Sequence, residues 1–126
     1  SYNRAVGEQR LALQTAYANY FDNHNVAAML FPTTPLQARP INADLNTVTL
    51  NGRAVPTFAT YIRNTDPGSN AGIPGISLPT GLRPNGLPVG IELDGPRGSD
   101  RHLLAIAKAI ETLLTRASGE HIGSKD

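Results

Sequence analysis

Gly75-Ile76-Ser77-Leu78-Pro79, then Arg83-Pro84-Asn85-Gly86, then Val89-Gly90-Ile91-Glu92-Leu93 make the stretch whose reading decides the fold. Pro, Asn and Gly together between two apolar runs are turn chemistry, so the runs read as two joined strands. In the second run Val89, Ile91 and Leu93 alternate with other residues, which puts them on one face of a strand. Just downstream, Ser99 is a good helix N-cap and Asp100 suits the positive end of a helix dipole. Leu103, Ile106, Ala107, Ile110, Leu113 and Leu114 then recur at helical spacing as one apolar stripe. The stretch therefore predicts a helix packed on a sheet.

Working upstream, Asp66-Pro67-Gly68-Ser69-Asn70-Ala71-Gly72 is rich in residues that cap, turn and admit close backbone approach, and it predicts irregular chain. Residues 57–64 predict a short helix. Asn51-Gly52, flanked by Thr47-Val48-Thr49-Leu50 and Arg53-Ala54-Val55, predicts a tight hairpin, since this pair readily takes positive φ. Residues 32–46 carry three prolines without a period and read as a loop. Before them, Val26-Ala27-Ala28-Met29-Leu30-Phe31 is apolar throughout and stopped by Pro32, which predicts a strand buried on both faces. The chain opens with Tyr2, Val6, Gln9, Leu13, Tyr17 and Tyr20 at steps of three and four, an amphipathic helix ending near residues 22–25.

These elements predict an α/β arrangement, with residues 1–115 as its folded part and 116–126 as a polar, flexible tail. A strand as apolar as residues 26–31 calls for neighbours on both sides, and the chain has few strands to supply them. The fold is expected to be incomplete as a stand-alone sheet.

Composition removes several classes of function. Eleven Lys and Arg against ten Asp and Glu leave no basic field for nucleic acid or for an anionic membrane surface. The absence of cysteine removes disulfides, CxxC metal sites and a thiol nucleophile. No apolar run reaches the ~18 residues of a membrane span, and a cytoplasmic location is expected. Gly75-Ile76-Ser77-Leu78-Pro79 is not a nucleophile elbow, because proline stands where the second glycine belongs. His24, His102 and His121 follow no serine motif and have no metal-ligand spacing, so neither metal nor cofactor is expected. The glycines of residues 68–72 lack the lysine of a phosphate-binding loop, and Gly90 reads as a close-packing position within a strand.

Taken together, Asn70-Ala71-Gly72-Ile73-Pro74-Gly75-Ile76-Ser77-Leu78-Pro79-Thr80-Gly81, Gly86-Leu87-Pro88-Val89-Gly90-Ile91-Glu92-Leu93 and the helix around Leu103-Leu104-Ala105-Ile106-Ala107-Lys108 resemble the C-terminal block of amidase signature enzymes. Leu30-Phe31-Pro32-Thr33-Thr34-Pro35 is similar to the family's strand ending in a P-T-x-P turn, and the lead-in from Asn64 to Asn70 looks most like the branch of indoleacetamide and mandelamide hydrolases. The resemblance implies a mixed central sheet flanked by helices. It also implies hydrolysis of a small aryl-acetamide-like carboxamide to carboxylate and ammonia by a nucleophilic serine, a bridging serine and a lysine. Those residues would lie in a preceding part of the parent. Lys108 and Lys125 are the chain's lysines, and neither precedes a glycine- and serine-rich run, so no catalytic residue is carried over and the chain alone is expected to be inactive.

What the resemblance leaves for this chain is sheet completion and one wall of a substrate pocket. Thr33 at the end of the buried strand, and Asn70 and Ile73 entering the next, are the expected substrate-binding residues, since ligands of α/β proteins gather at strand ends. Each has a structural alternative: Thr33 as a turn cap, Asn70 as an internal loop tie, Ile73 as core. The expected partners are the missing N-terminal part and a small amide, with a homodimer left open. Two other functions compete: part of an amidotransferase A-type subunit acting on glutamine and aminoacyl-tRNA, and a non-catalytic binding module.

Overall fold

Residues 2–41 and 44–122 are described in the computed structural model of the chain, with side chains as far as residue 117. A short helix α1 (Tyr2–Arg4) runs through a π-helical stretch (Ala5–Gln9) into α2 (Arg10–His24). Asn25 ends it in the left-handed region at φ 49°, its N–H donating to the Asp22 carbonyl. The buried face differs from the one expected. Tyr2, Val6 and Tyr20 are exposed, while Leu13, Gln14 and Tyr17 are half-buried and Phe21 is buried. Both sets fit a helical period, and the packing of α2 against α4 (Asp66–Ala71) selects the second. Gln14 Nε2 fixes that contact by donating to the Ala71 carbonyl at 2.8 Å.

Strands β1 (Met29–Pro32), β4 (Gly75–Pro79) and β5 (Gly90–Asp94) form an antiparallel sheet in the order β1-β5-β4. The expectation of a strand buried on both faces over residues 26–31 is corrected here. The strand starts at Met29, Val26 and Ala27 are exposed, and Leu30 is 60% exposed. Among the described residues β1 is an edge strand with β5 as its neighbour, so its outer positions have nothing to pack on.

The hairpin forms as predicted from β2 (Thr47–Leu50) and β3 (Arg53–Pro56), with Asn51 at φ 50° and Gly52 at φ 77°. A short helix α3 (Thr57–Tyr61) follows. The irregular chain expected at residues 66–72 is instead the helix α4. Pro67 in its first turn lacks an N–H that would go unused there, and Gly72 closes it in the left-handed region at φ 70°. The turn between β4 and β5 contains a 3-10 turn at Pro84–Gly86, with Asn85 and Gly86 both at positive φ.

Helix α5 (Asp100–Ile122) closes the fold. Leu103 and Ala107 pack on Leu78 and Leu93 of the sheet, with Ile76, Ile91, Ile106 and Ile110 around them. The stripe expected from the sequence is the one used, except that Leu113 is exposed. The helix continues past Arg116, where the polar tail was expected to begin, and residues 123–126 of that tail lie outside the described residues. Ser99 does not cap as expected. Its carbonyl accepts the Leu103 N–H at 2.8 Å, but its hydroxyl is buried without a hydrogen-bond partner. That hydroxyl sits over Gly95, where an added Cβ would lie 2.5 Å from Oγ. Among the described residues no helix is long and apolar enough to cross a membrane.

Candidate functional site

Antiparallel register sorts the sheet into two chemically distinct faces. Leu93 pairs with Leu30 and Ile76, and Ile91 with Pro32 and Leu78; α5 covers the β4 and β5 part of this face and leaves Leu30 and Pro32 exposed. Asp94 pairs with Met29 and Gly75, and Glu92 with Phe31 and Ser77, so two carboxyls and a hydroxyl share the opposite face.

At one end of that polar face Thr33 follows directly on β1. Its N–H donates to the Gly90 carbonyl at 3.2 Å, and its Oγ1 shares a hydrogen bond of 2.7 Å with Ser77 Oγ. Both hydroxyls stand over Gly90, where a Cβ would meet Oγ1 at 3.0 Å and Oγ at 3.1 Å. A side chain here would crowd both hydroxyls, so Gly90 is a close-packing position, on the face turned away from α5. Asn64 Nδ2 donates to the Pro32 carbonyl at 2.7 Å and hangs the segment before α4 on the same strand end. A hollow of about 270 Å³ adjoins this corner, lined by Thr34, Leu36, Pro88, Val89 and Gly90 among others.

At the other end Asp94 is 3% exposed. Burial raises its carboxyl above the ordinary carboxylate value; burial, then the neighbouring Asp94 charge, does the same to Glu92. The Tyr17 phenol of α2 is raised for the same two reasons in the same order. Between α2 and the residues after β5 lies an open hollow of about 390 Å³, with Leu11, Tyr17, Phe21, Ile73, Pro96 and Arg97 in its lining.

The three expected binding residues are thus distributed. Thr33 stands at the hydroxyl corner with Ser77 and Gly90. Ile73 is half-buried in the α2 hollow. Asn70 is exposed on the last turn of α4, its Nδ2 donating to the Asp66 carbonyl at 3.0 Å, and it lines a separate groove with Val6, Arg10 and Leu13. No described hollow is lined by more than one of them. Ser77 was weighed in the sequence only as a nucleophile and rejected, and Asp94 was not considered; the cue for Ser77 was its place opposite the strand carrying Gly90. His24 lies tilted against Tyr20 with ring centres 4.5 Å apart, His102 is exposed on α5, and the side chain of His121 lies outside the described residues. Lys108 pairs with Glu111 at 3.0 Å on the exposed side of α5, far in role from any serine. Among the described residues no three His, Asp or Glu side chains are grouped as metal ligands.

The geometry is that of a three-stranded sheet with one polar face and hollows at its strand ends. Comparison with known proteins agrees: the Amidase family profile matches residues 1–104, and the chain belongs to that family. It is 54% identical over 113 residues to an indoleacetamide hydrolase of Agrobacterium vitis, covering 90% of this chain and 24% of that protein. It is 44% identical over 117 residues to a mandelamide hydrolase of Pseudomonas putida, covering 92% of this chain and 22% of that one. A crystal structure of an amidase superposes with a TM-score of 0.73 at 30% identity, over 82% of this chain and 23% of the other. The chain thus spans about a quarter of the length of the curated relatives it matches.

Proposed function

We propose that the chain is the C-terminal part of a serine-dependent amide hydrolase that converts a small aryl-acetamide and water to the carboxylate and ammonium. The observation that carries this reading is the identity of 54% across 113 residues with an indoleacetamide hydrolase. In it, the nucleophilic serine, bridging serine and lysine belong to the preceding part of the parent, and this chain supplies strands and one pocket wall. The hydroxyl corner suits an amide: the bond between Thr33 and Ser77 uses one of their two hydrogens, which leaves a donor and several lone pairs for a carboxamide. Ile73, in an apolar hollow, and Asn70, in a separate groove, lie toward the other end of the sheet from the hydroxyl corner, so Thr33 is the residue this reading assigns to the carboxamide.

The test is a chimera in which this chain replaces the matching segment of the Agrobacterium vitis enzyme. Ammonium release from indole-3-acetamide is expected, and a folded chimera that releases none would sink the reading. Within an active chimera, Thr33→Val should lower kcat/KM by roughly tenfold, the loss of about one hydrogen bond.

A further inference from the structure

We propose that the face of β5 bearing Glu92 and Asp94 is the seat of one protonated nitrogen, an ammonium or guanidinium carried by the remainder of the parent polypeptide. This rests on the reading of the chain as part of a larger amidase. Two carboxylates alone would be an ordinary acidic surface. Asp94, however, is 3% exposed, and among the described residues neither it nor Glu92 accepts a hydrogen bond or pairs with a cation. The Asp94 oxygens keep only slight contact with water, and a charge so nearly buried is ordinarily paired, because desolvating a carboxylate without a donor is costly.

The burial is built into the backbone. A Cβ on Gly68 of α4 would lie 2.6 Å from Asp94 Oδ2, and one on Gly75 of β4 would lie 2.7 Å from Oδ1. Two glycines on two elements thus leave room for this one carboxyl. The Gly75 Cβ position is also 3.2 Å from Glu92 Oε1, so the two carboxyls converge on the same spot.

The groups facing them do not neutralise them. From α2 comes the Tyr17 phenol, which makes no hydrogen bond to either; from β4 comes Ser77, whose hydroxyl is engaged with Thr33. Arg10 of α2 lies against Gly72 at the far end of α4, and Arg97 lines the α2 hollow. Neither makes an ion pair with these carboxylates. A calcium or magnesium ion calls for about six oxygen ligands, and no third carboxylate or imidazole is grouped here among the described residues. A single nitrogen bearing several N–H donors matches two convergent carboxylates.

The experiment is a carboxyl-carbon NMR titration of Asp94 and Glu92, run on the 126-residue chain and on the chimera. In the chain, methylguanidinium chloride should lower the Asp94 midpoint, while tetramethylammonium chloride at equal ionic strength should leave it in place. Asp94→Asn should abolish the effect at Glu92. In the chimera, Asp94 should already titrate below its midpoint in the chain with no salt added. Equal response to both salts would mean screening, response to magnesium chloride alone would mean a metal site, and a two-step titration indifferent to methylguanidinium would mean a shared proton; each overturns the proposal. So does an unshifted Asp94 in the chimera, which alone decides if the chain does not fold by itself. Ammonium release with an unshifted Asp94 sinks the cation seat and spares the hydrolase reading; a lowered Asp94 without ammonium release does the reverse.

Discussion

Asp94 governs how the isolated chain responds to pH, because it is an acid whose ionisation folding opposes. Burial raises both Asp94 and Glu92, so the folded chain holds protons that the unfolded chain has released. Stability is then full below the ordinary carboxylate range, declines as pH rises toward the raised values, and stays low above them. Urea midpoints of the chain should fall as pH rises above the ordinary carboxylate range, and Asp94→Asn should fall less over the same window. A parent curve that rises instead would mean these carboxyls are already paired. Gly75→Ala is the steric counterpart. Its Cβ would lie 2.7 Å from Asp94 Oδ1, a contact that forces a shift and should cost roughly 1–3 kcal/mol. Made in an Asp94→Ala background the same change should cost much less, and a thermodynamic cycle that comes out additive would contradict the clash. None of this was visible in the sequence. Strand alternation places Glu92 and Asp94 opposite Leu93 and thereby marks them as solvent-facing; it is the tertiary placement of α4 and α2 that buries Asp94.

Elements were legible to the degree that their own residues dictate them. Asn51-Gly52 forms its turn with both φ values positive, as local sterics require, and the stripe from Leu103 to Ile110 lies on the sheet as its spacing demands. Helix α4 was missed because Pro, Gly, Ser and Asn are weak helix formers; Gly68 and Ala71 are instead buried in its packing, and Gln14 holds its last carbonyl. The start of α5 shows the opposite error, a cap that the residue type promises and the geometry withholds. An N-cap serine replaced by alanine ordinarily costs about 1 kcal/mol. Here the Ser99 hydroxyl is buried and unbonded, so Ser99→Ala removes an unsatisfied group and should leave stability unchanged or raise it by up to about 1 kcal/mol. Thermal unfolding decides between the two, and a loss near 1 kcal/mol would show that the hydroxyl caps the helix after all.

For the whole molecule the deciding question is what covers β1. The apolar run at residues 26–31 signals burial, yet the described chain covers one edge of the strand with β5 and leaves Leu30 60% exposed. Its partner in register, Leu93, is 2% exposed beneath α5. The same residue type on the same face thus has two environments, and the difference tests whether the sheet continues in the parent. Leu93→Ala should cost about 2–5 kcal/mol in the chain and the chimera alike. Leu30→Lys should change the stability of the isolated chain by less than about 0.5 kcal/mol. It should also reduce self-association, since a charge on an exposed apolar edge discourages strand pairing between copies. In the chimera the neighbouring strands and helices of the remaining polypeptide would bury that position. There the lysine must be desolvated without a partner, and the substitution should lower the melting temperature at least as much as Leu93→Ala does. Sedimentation of the chain and melting of the chimera read the two halves of this prediction separately. If Leu30→Lys is harmless in both, the run at residues 26–31 is an exposed edge in the whole protein too, and its hydrophobicity serves something other than a continued sheet.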